Sequence, residues 1–97
     1  MVQALLTAEQ IAVALRELPR WTKEGEEFVR EYEHGSVLGA VELITQIAHV
    51  AEEMNHHPDL RWVYRRLSIR LSTHDADGLT ALDVELAQRI EALLEAA

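Results

Sequence analysis

The chain has 97 residues, 48% of them hydrophobic and 27% charged, with a formal net charge of −8 and no cysteine. That length is one domain's worth, so residues 1–97 are expected to form a single domain, and the composition is that of a globule rather than a disordered tail. The lack of cysteine excludes disulfides and thiolate chemistry, the charge argues against nucleic-acid binding, and no apolar run approaches the ~20 residues of a membrane span.

The first residues, MVQALLTAEQ, lack a basic region ahead of a long apolar stretch. They do not read as a secretory signal, and a cytoplasmic protein is expected. A first helix starts at Thr7, which with Gln10 three residues on makes a capping box. Ile11, Leu15 and Leu18 recur at helical spacing, and Pro19 marks the stop. Trp21 to Lys23 reads as a short strand, followed by a turn through Glu24 and Gly25. Glu27 to Glu33 alternates as a second strand, with Phe28, Arg30 and Tyr32 on one side and Val29 and Glu31 on the other.

Ser36 caps a second helix running to about Met54. Val37, Val41, Ile44, Ala48 and Ala51 form one stripe, and Leu43, Ile47, Val50 and Met54 widen it. So broad an apolar face predicts a helix buried along much of its girth. Asn55-His56-His57-Pro58 breaks the pattern, because proline lacks an N–H and disfavours helix at the residue before it. Val63 to Thr73 is the clearest strand, with Val63, Leu67, Ile69 and Leu71 on one face and Tyr64, Arg66, Ser68, Arg70 and Ser72 on the other. Parity puts His74 with the polar face. His74 to Gly78 reads as a loop, and Thr80 caps a last helix carrying Leu82, Leu86, Ile90 and Leu93. The element order is α-β-β-α-β-β-α, an α+β arrangement with an antiparallel sheet and helices on one face.

Five histidines is a high count for this length, and His56, His57 and His74 fall where the chain changes direction. Glu52, Asp59, Asp75, Asp77 and Asp83 stand near them in sequence. Imidazoles and carboxylates together suit acid–base chemistry near neutral pH. Glu52 and His56 are four apart and share a face if the helix reaches that far, where the carboxylate would orient the ring; a helix-end ion pair is the plainer alternative. Neighbours in extended backbone diverge, so His56 and His57 are expected to do different jobs. Asp83, three residues after the Thr80 cap, is read most simply as an acid complementing the helix dipole. His-Glu-x-x-His and Cys-x-x-Cys spacings are absent, so a metal site has little support. Gly25, Gly35, Gly39 and Gly78 are scattered and make no phosphate loop. Arg61, Arg65, Arg66 and Arg70 cluster, which reads as a solvated strand edge or a place for an anionic group.

The stretch Ala51-Glu52-Glu53-Met54-Asn55-His56-His57-Pro58-Asp59 resembles the signature of the pterin-4a-carbinolamine dehydratases. Its continuation through Val63-Tyr64, Leu71-Ser72-Thr73-His74, Gly78-Leu79-Thr80 and Asp83 extends the likeness in order and spacing. The resemblance implies a four-stranded antiparallel sheet with three helices packed on one face. It also implies homodimers or homotetramers, and dehydration of a 4a-hydroxytetrahydropterin to the quinonoid dihydropterin without metal or organic cofactor, as in tetrahydrobiopterin recycling. Carried over, His56 and His74 become the acid–base pair, His57 holds the pterin, Glu52 orients the histidines or contacts the ring, and Asp83 supports the site. Thr73 and Trp62 join them as pterin contacts. Many relatives carry tryptophan two residues after the proline, whereas this chain has Leu60, with Trp62 two further on. The resemblance also brings a second function class, a non-catalytic dimerisation, assembly or transcriptional cofactor module, in which the histidines would be idle.

Overall fold

The computed structural model describes residues 3–97; Met1 and Val2, where the reading of the N-terminus begins, lie outside them. Helix α1 spans Ala8–Glu17, and the expected capping box is present. Thr7 Oγ1 accepts from the Gln10 amide at 3.1 Å, and Gln10 Oε1 accepts from the Thr7 amide at 2.8 Å. Strands β1 (Thr22–Glu24) and β2 (Glu27–Glu33) form a hairpin turning at Gly25, whose φ of 57° suits a residue without a Cβ. Helix α2 (Val37–Met54) starts at Ser36, whose hydroxyl accepts from the Gly39 amide at 3.0 Å.

The broad burial expected of α2 is not found. Ala40, Leu43, Ile47 and Ala51 face the core, while Ala48 is exposed and Leu38 is 80% exposed. Only one side of α2 is covered, so its second apolar stripe stays partly wet. Gly39 has its own reason to lack a side chain: the His34 ring occupies the space a Cβ would take, and His34 Nδ1 accepts from the Ser36 amide at 3.1 Å. Gly39→Ala is therefore expected to push the His34 ring off the Ser36 amide, a loss that offsets alanine's better helix propensity and leaves stability within about 1 kcal/mol of the original; urea unfolding would measure it.

The strand read over Val63 to Thr73 is two strands. β3 spans Asp59–Val63 and β4 spans Arg66–Leu71, antiparallel and joined at Tyr64-Arg65. Tyr64 sits at φ 54°, a left-handed conformation uncommon for a non-glycine residue. Val63 thus belongs to the sheet edge and faces out beside Arg66, while Leu67, Ile69 and Leu71 are buried as expected. The sheet order is β1-β2-β4-β3, antiparallel throughout. A 3₁₀ turn covers His74–Ala76, and helix α3 spans Ala81–Ala96, burying Leu86, Ala87, Ile90 and Leu94. The core joins these to Phe28, Leu43, Ile47, Leu67, Ile69 and Leu71.

Arg30 lies on the core side of β2, next to Phe28 and Tyr32 in alternation, and is buried. Its charge is met by Glu91 of α3. Arg30 Nε donates to Glu91 Oε1 at 2.9 Å, Arg30 Nη2 to Oε2 at 3.2 Å, and Trp21 Nε1 to Oε1 at 2.8 Å. The Arg30 hydrogen bond, with help from Trp21, holds the Glu91 carboxyl below the usual carboxylate range. A depressed folded-state value means that this stabilisation is complete at neutral pH and is lost as pH falls through and below that range. Glu91→Gln is expected to cost about 2–3 kcal/mol at pH 7 and less at pH 3, read from urea unfolding at the two pH values.

The open face of the sheet carries the arginine cluster. Arg70 donates to Glu27 and Glu24, each at 3.2 Å, and Arg65 donates to Glu33 at 2.9 Å. Those carboxylates, Glu27 first, raise the Arg70 pKa above its ordinary value. Two of the four arginines are thus engaged with acids of β1 and β2. No helix among the described residues is long and apolar enough to cross a membrane.

Candidate active site

Three corners of the fold meet at one end of the sheet. The first is the end of α2. Asn55 adopts the left-handed conformation, φ 49° and ψ 43°, and the His56 amide donates back to the Ala51 carbonyl at 3.0 Å. This is a helix-terminating pattern for which asparagine substitutes for glycine. It turns His56 inward, and Pro58 then commits the chain to β3.

The second corner is the exit of β4. Thr73 and Gly78 form an isolated antiparallel bridge, with Thr73 N–H to Gly78 O at 2.9 Å, and the 3₁₀ turn between them lifts His74 to the surface. The third is the start of α3, where Thr80 caps the helix and Asp83 accepts from the Thr80 amide at 2.9 Å.

Asp83 joins the three. It is fully buried, yet each of its oxygens has donors. Oδ1 lies 2.7 Å from His56 Nε2, and Oδ2 accepts from the Thr73 hydroxyl at 2.8 Å as well as from the Thr80 amide. The Thr73 hydroxyl has one proton and gives it to Asp83, so Thr80 donates to Thr73 Oγ1 across 2.8 Å. A carboxylate offers only acceptors, so a neutral His56 ring facing ionised Asp83 carries its proton on Nε2 and leaves Nδ1 as the acceptor.

The pairing expected between Glu52 and His56 is replaced by two others. His56 reaches Asp83, 27 residues away, and Glu52 Oε1 instead meets His57 Nε2 at 2.9 Å. The helix ends before position 56, so the four-residue spacing does not continue to it. Both members of the Glu52–His57 pair are more than half exposed.

His56, His57, Thr73 and His74 line one open cleft of about 310 Å³, completed by Gln3, Asn55, Ser72, Asp75 and Leu82. That volume is at the small end of the range for ligand sites. Asp83 stands behind His56, and Glu52 stands outside, behind His57. Trp62 does not line this cleft; it lies on β3, half exposed, with Nε1 donating to the Tyr64 carbonyl at the hairpin. Leu60 packs toward the core. Gln3 and Leu82 border this cleft with nothing in the sequence to mark them. Ser72 alone had a signal, because it shares strand parity with His74. A larger hollow of about 510 Å³ lies on the open sheet face, but it is lined by Arg61, Arg66 and Arg70 with Glu31 and Asp59 and holds no histidine. Among the described residues no three His, Asp or Glu side chains converge as a metal-holding group.

Fold and cleft together define a small α+β protein in which imidazoles from two chain reversals line one hollow. Residues 4–93 match the family model for pterin 4 alpha carbinolamine dehydratase, and the chain belongs to that family. A Nocardia farcinica protein described as a candidate pterin-4-alpha-carbinolamine dehydratase is 43% identical over 96% of this chain and 98% of its own length. The crystal structure of a transcriptional coactivator/pterin dehydratase from Brucella melitensis superposes with a TM-score of 0.90 at 31% identity, over 94% of this chain and 99% of that one. A pterin dehydratase-like protein identified as a RuBisCO assembly factor in the alpha-carboxysome shares the fold, with a TM-score of 0.67 at 21% identity over 76% and 88% of the two chains.

Proposed function

We propose that the protein dehydrates a 4a-hydroxytetrahydropterin to the quinonoid dihydropterin, as a step of tetrahydropterin recycling. The observation that carries this reading is the convergence of His56, His57 and His74 on one cleft, with His56 held from behind by a buried carboxylate. His74, exposed on its 3₁₀ turn, gives a proton to the 4a-oxygen as the carbon–oxygen bond breaks and water leaves. The electron pair of a ring N–H forms the new double bond, and His56 Nδ1 takes that proton. Asp83 stabilises the resulting imidazolium through Nε2. His57, oriented by Glu52, holds the ring, and solvent restores the starting protonation at the open lip.

The test is direct. Purified protein mixed with freshly generated 4a-hydroxytetrahydropterin is expected to speed water loss at least about 10²-fold over buffer. A rate equal to that of buffer would overturn the reading.

A second reading rests on the exposed apolar side chains Leu38 on α2 and Trp62, Val63 and Tyr64 at the β3 edge. Such a surface suits contact with further copies of the chain or with another protein. A binding role independent of catalysis predicts a stoichiometric complex that survives substitution of His56 and His74.

A further inference from the structure

Residues before α1 contribute to the cleft. Gln3 is partly buried and lines it beside Asn55 and the histidines. Two contacts fix the segment that carries it. The Leu6 amide donates to the Leu79 carbonyl at 2.9 Å, and the Leu5 side chain lies over Gly78, where an added Cβ would come within 3.0 Å of Leu5 Cδ2 and 3.1 Å of Glu26 Oε2. Gly78 is also the bridge partner of Thr73. The N-terminal segment is thus fastened to the loop that presents His74, and Gln3 borders the same hollow.

We propose that Gln3 is a specificity-determining residue whose carboxamide pairs with the amide edge of the pterin ring. The inference rests on the dehydratase reading. The pyrimidinone half of a pterin carries an N–H beside a C=O. A carboxamide carries one acceptor and one donor, and it can match both with two parallel hydrogen bonds. Its neutrality suits this job, because it orients the ring without competing for the protons that the imidazoles move. A site built to hydrogen-bond its ligand discriminates against ligands that leave its polar groups unpaired.

Gln3→Leu removes both hydrogen bonds at similar size. It is expected to raise KM for dehydration and Kd for 7,8-dihydrobiopterin about tenfold, with kcat, its pH dependence and Tm little changed. Leu5→Ala, which loosens the segment and keeps the amide, is expected to affect binding less. An unchanged KM and Kd in Gln3→Leu would overturn the inference while leaving the dehydratase reading intact. So would equal binding losses in the two variants with equal losses of Tm. A wild-type protein that neither turns over nor binds the pterin would defeat the dehydratase reading, and this inference with it.

Discussion

Replacing His74 with alanine is expected to lower kcat for dehydration by about 10²–10⁴-fold while leaving the fold intact. His74 is exposed and its side chain makes no hydrogen bond to any of the described residues, so its loss opens no cavity and orphans no buried partner. His56→Ala should lower kcat by a similar factor but also cost about 2–3 kcal/mol of stability, because the fully buried Asp83 would lose its Oδ1 donor. The contrast separates the proposed proton donor, exposed at the surface, from the proposed base, anchored to a buried carboxylate. Rates from stopped flow and stabilities from urea unfolding measure both. Full activity in the double variant would sink the assignment.

Asp83→Asn is the sharper probe of how His56 is set. The asparagine Oδ1 can still accept from Thr80 N–H and the Thr73 hydroxyl, so the helix cap and bridge should survive. Its Nδ2 then faces His56 Nε2, which must become an acceptor. The ring proton moves to Nδ1, the nitrogen proposed to take a proton from the substrate. The expected loss in kcat is on the order of 10²–10⁴-fold with only a modest fall in stability. Nitrogen-15 shifts of the His56 ring report the tautomer independently of turnover. Retention of the Nε2 proton together with full activity would contradict the role given to Asp83.

Much of the architecture was legible because local signals and the fold agreed. Thr7 with Gln10 and Thr80 with Asp83 announced two helix starts, and Leu67, Ile69 and Leu71 announced a half-buried strand. The hairpin at Tyr64-Arg65 was hidden because its turn contains no Gly, Pro, Asn or Asp. The pairing of Val63 with Arg66 shifts the alternation by one, so Val63 leaves the face of Leu67, Ile69 and Leu71, but a single apolar residue ahead of the turn is too little to reveal that shift. The girth of α2 is not legible in its sequence for a different reason: apolar composition reports what can be buried, and only packing decides what is.

At the site, the histidines and carboxylates stood out by residue type, but their partners did not. His56 and Asp83 are far apart in sequence, and only the left-handed turn at Asn55 aims one at the other. Helical spacing favoured Glu52 for His56 and could not foresee that the helix stops at Met54, two residues short of it. Gln3 had no sequence signal, since a lone amide ahead of a helix cap has no periodicity to reveal its neighbours. Trp62 was carried over by resemblance, and its place at the sheet edge shows that an aromatic two positions along a strand from Leu60 does not fill the space near the cleft.

The most direct test is a crystal structure of the protein soaked with 7,8-dihydrobiopterin. The bicyclic ring is expected in the hollow lined by His56, His57 and His74, with His56 Nδ1 and His74 within hydrogen-bonding reach of it. A ring bound on the open sheet face, or anywhere that leaves those imidazoles facing water alone, would contradict the account.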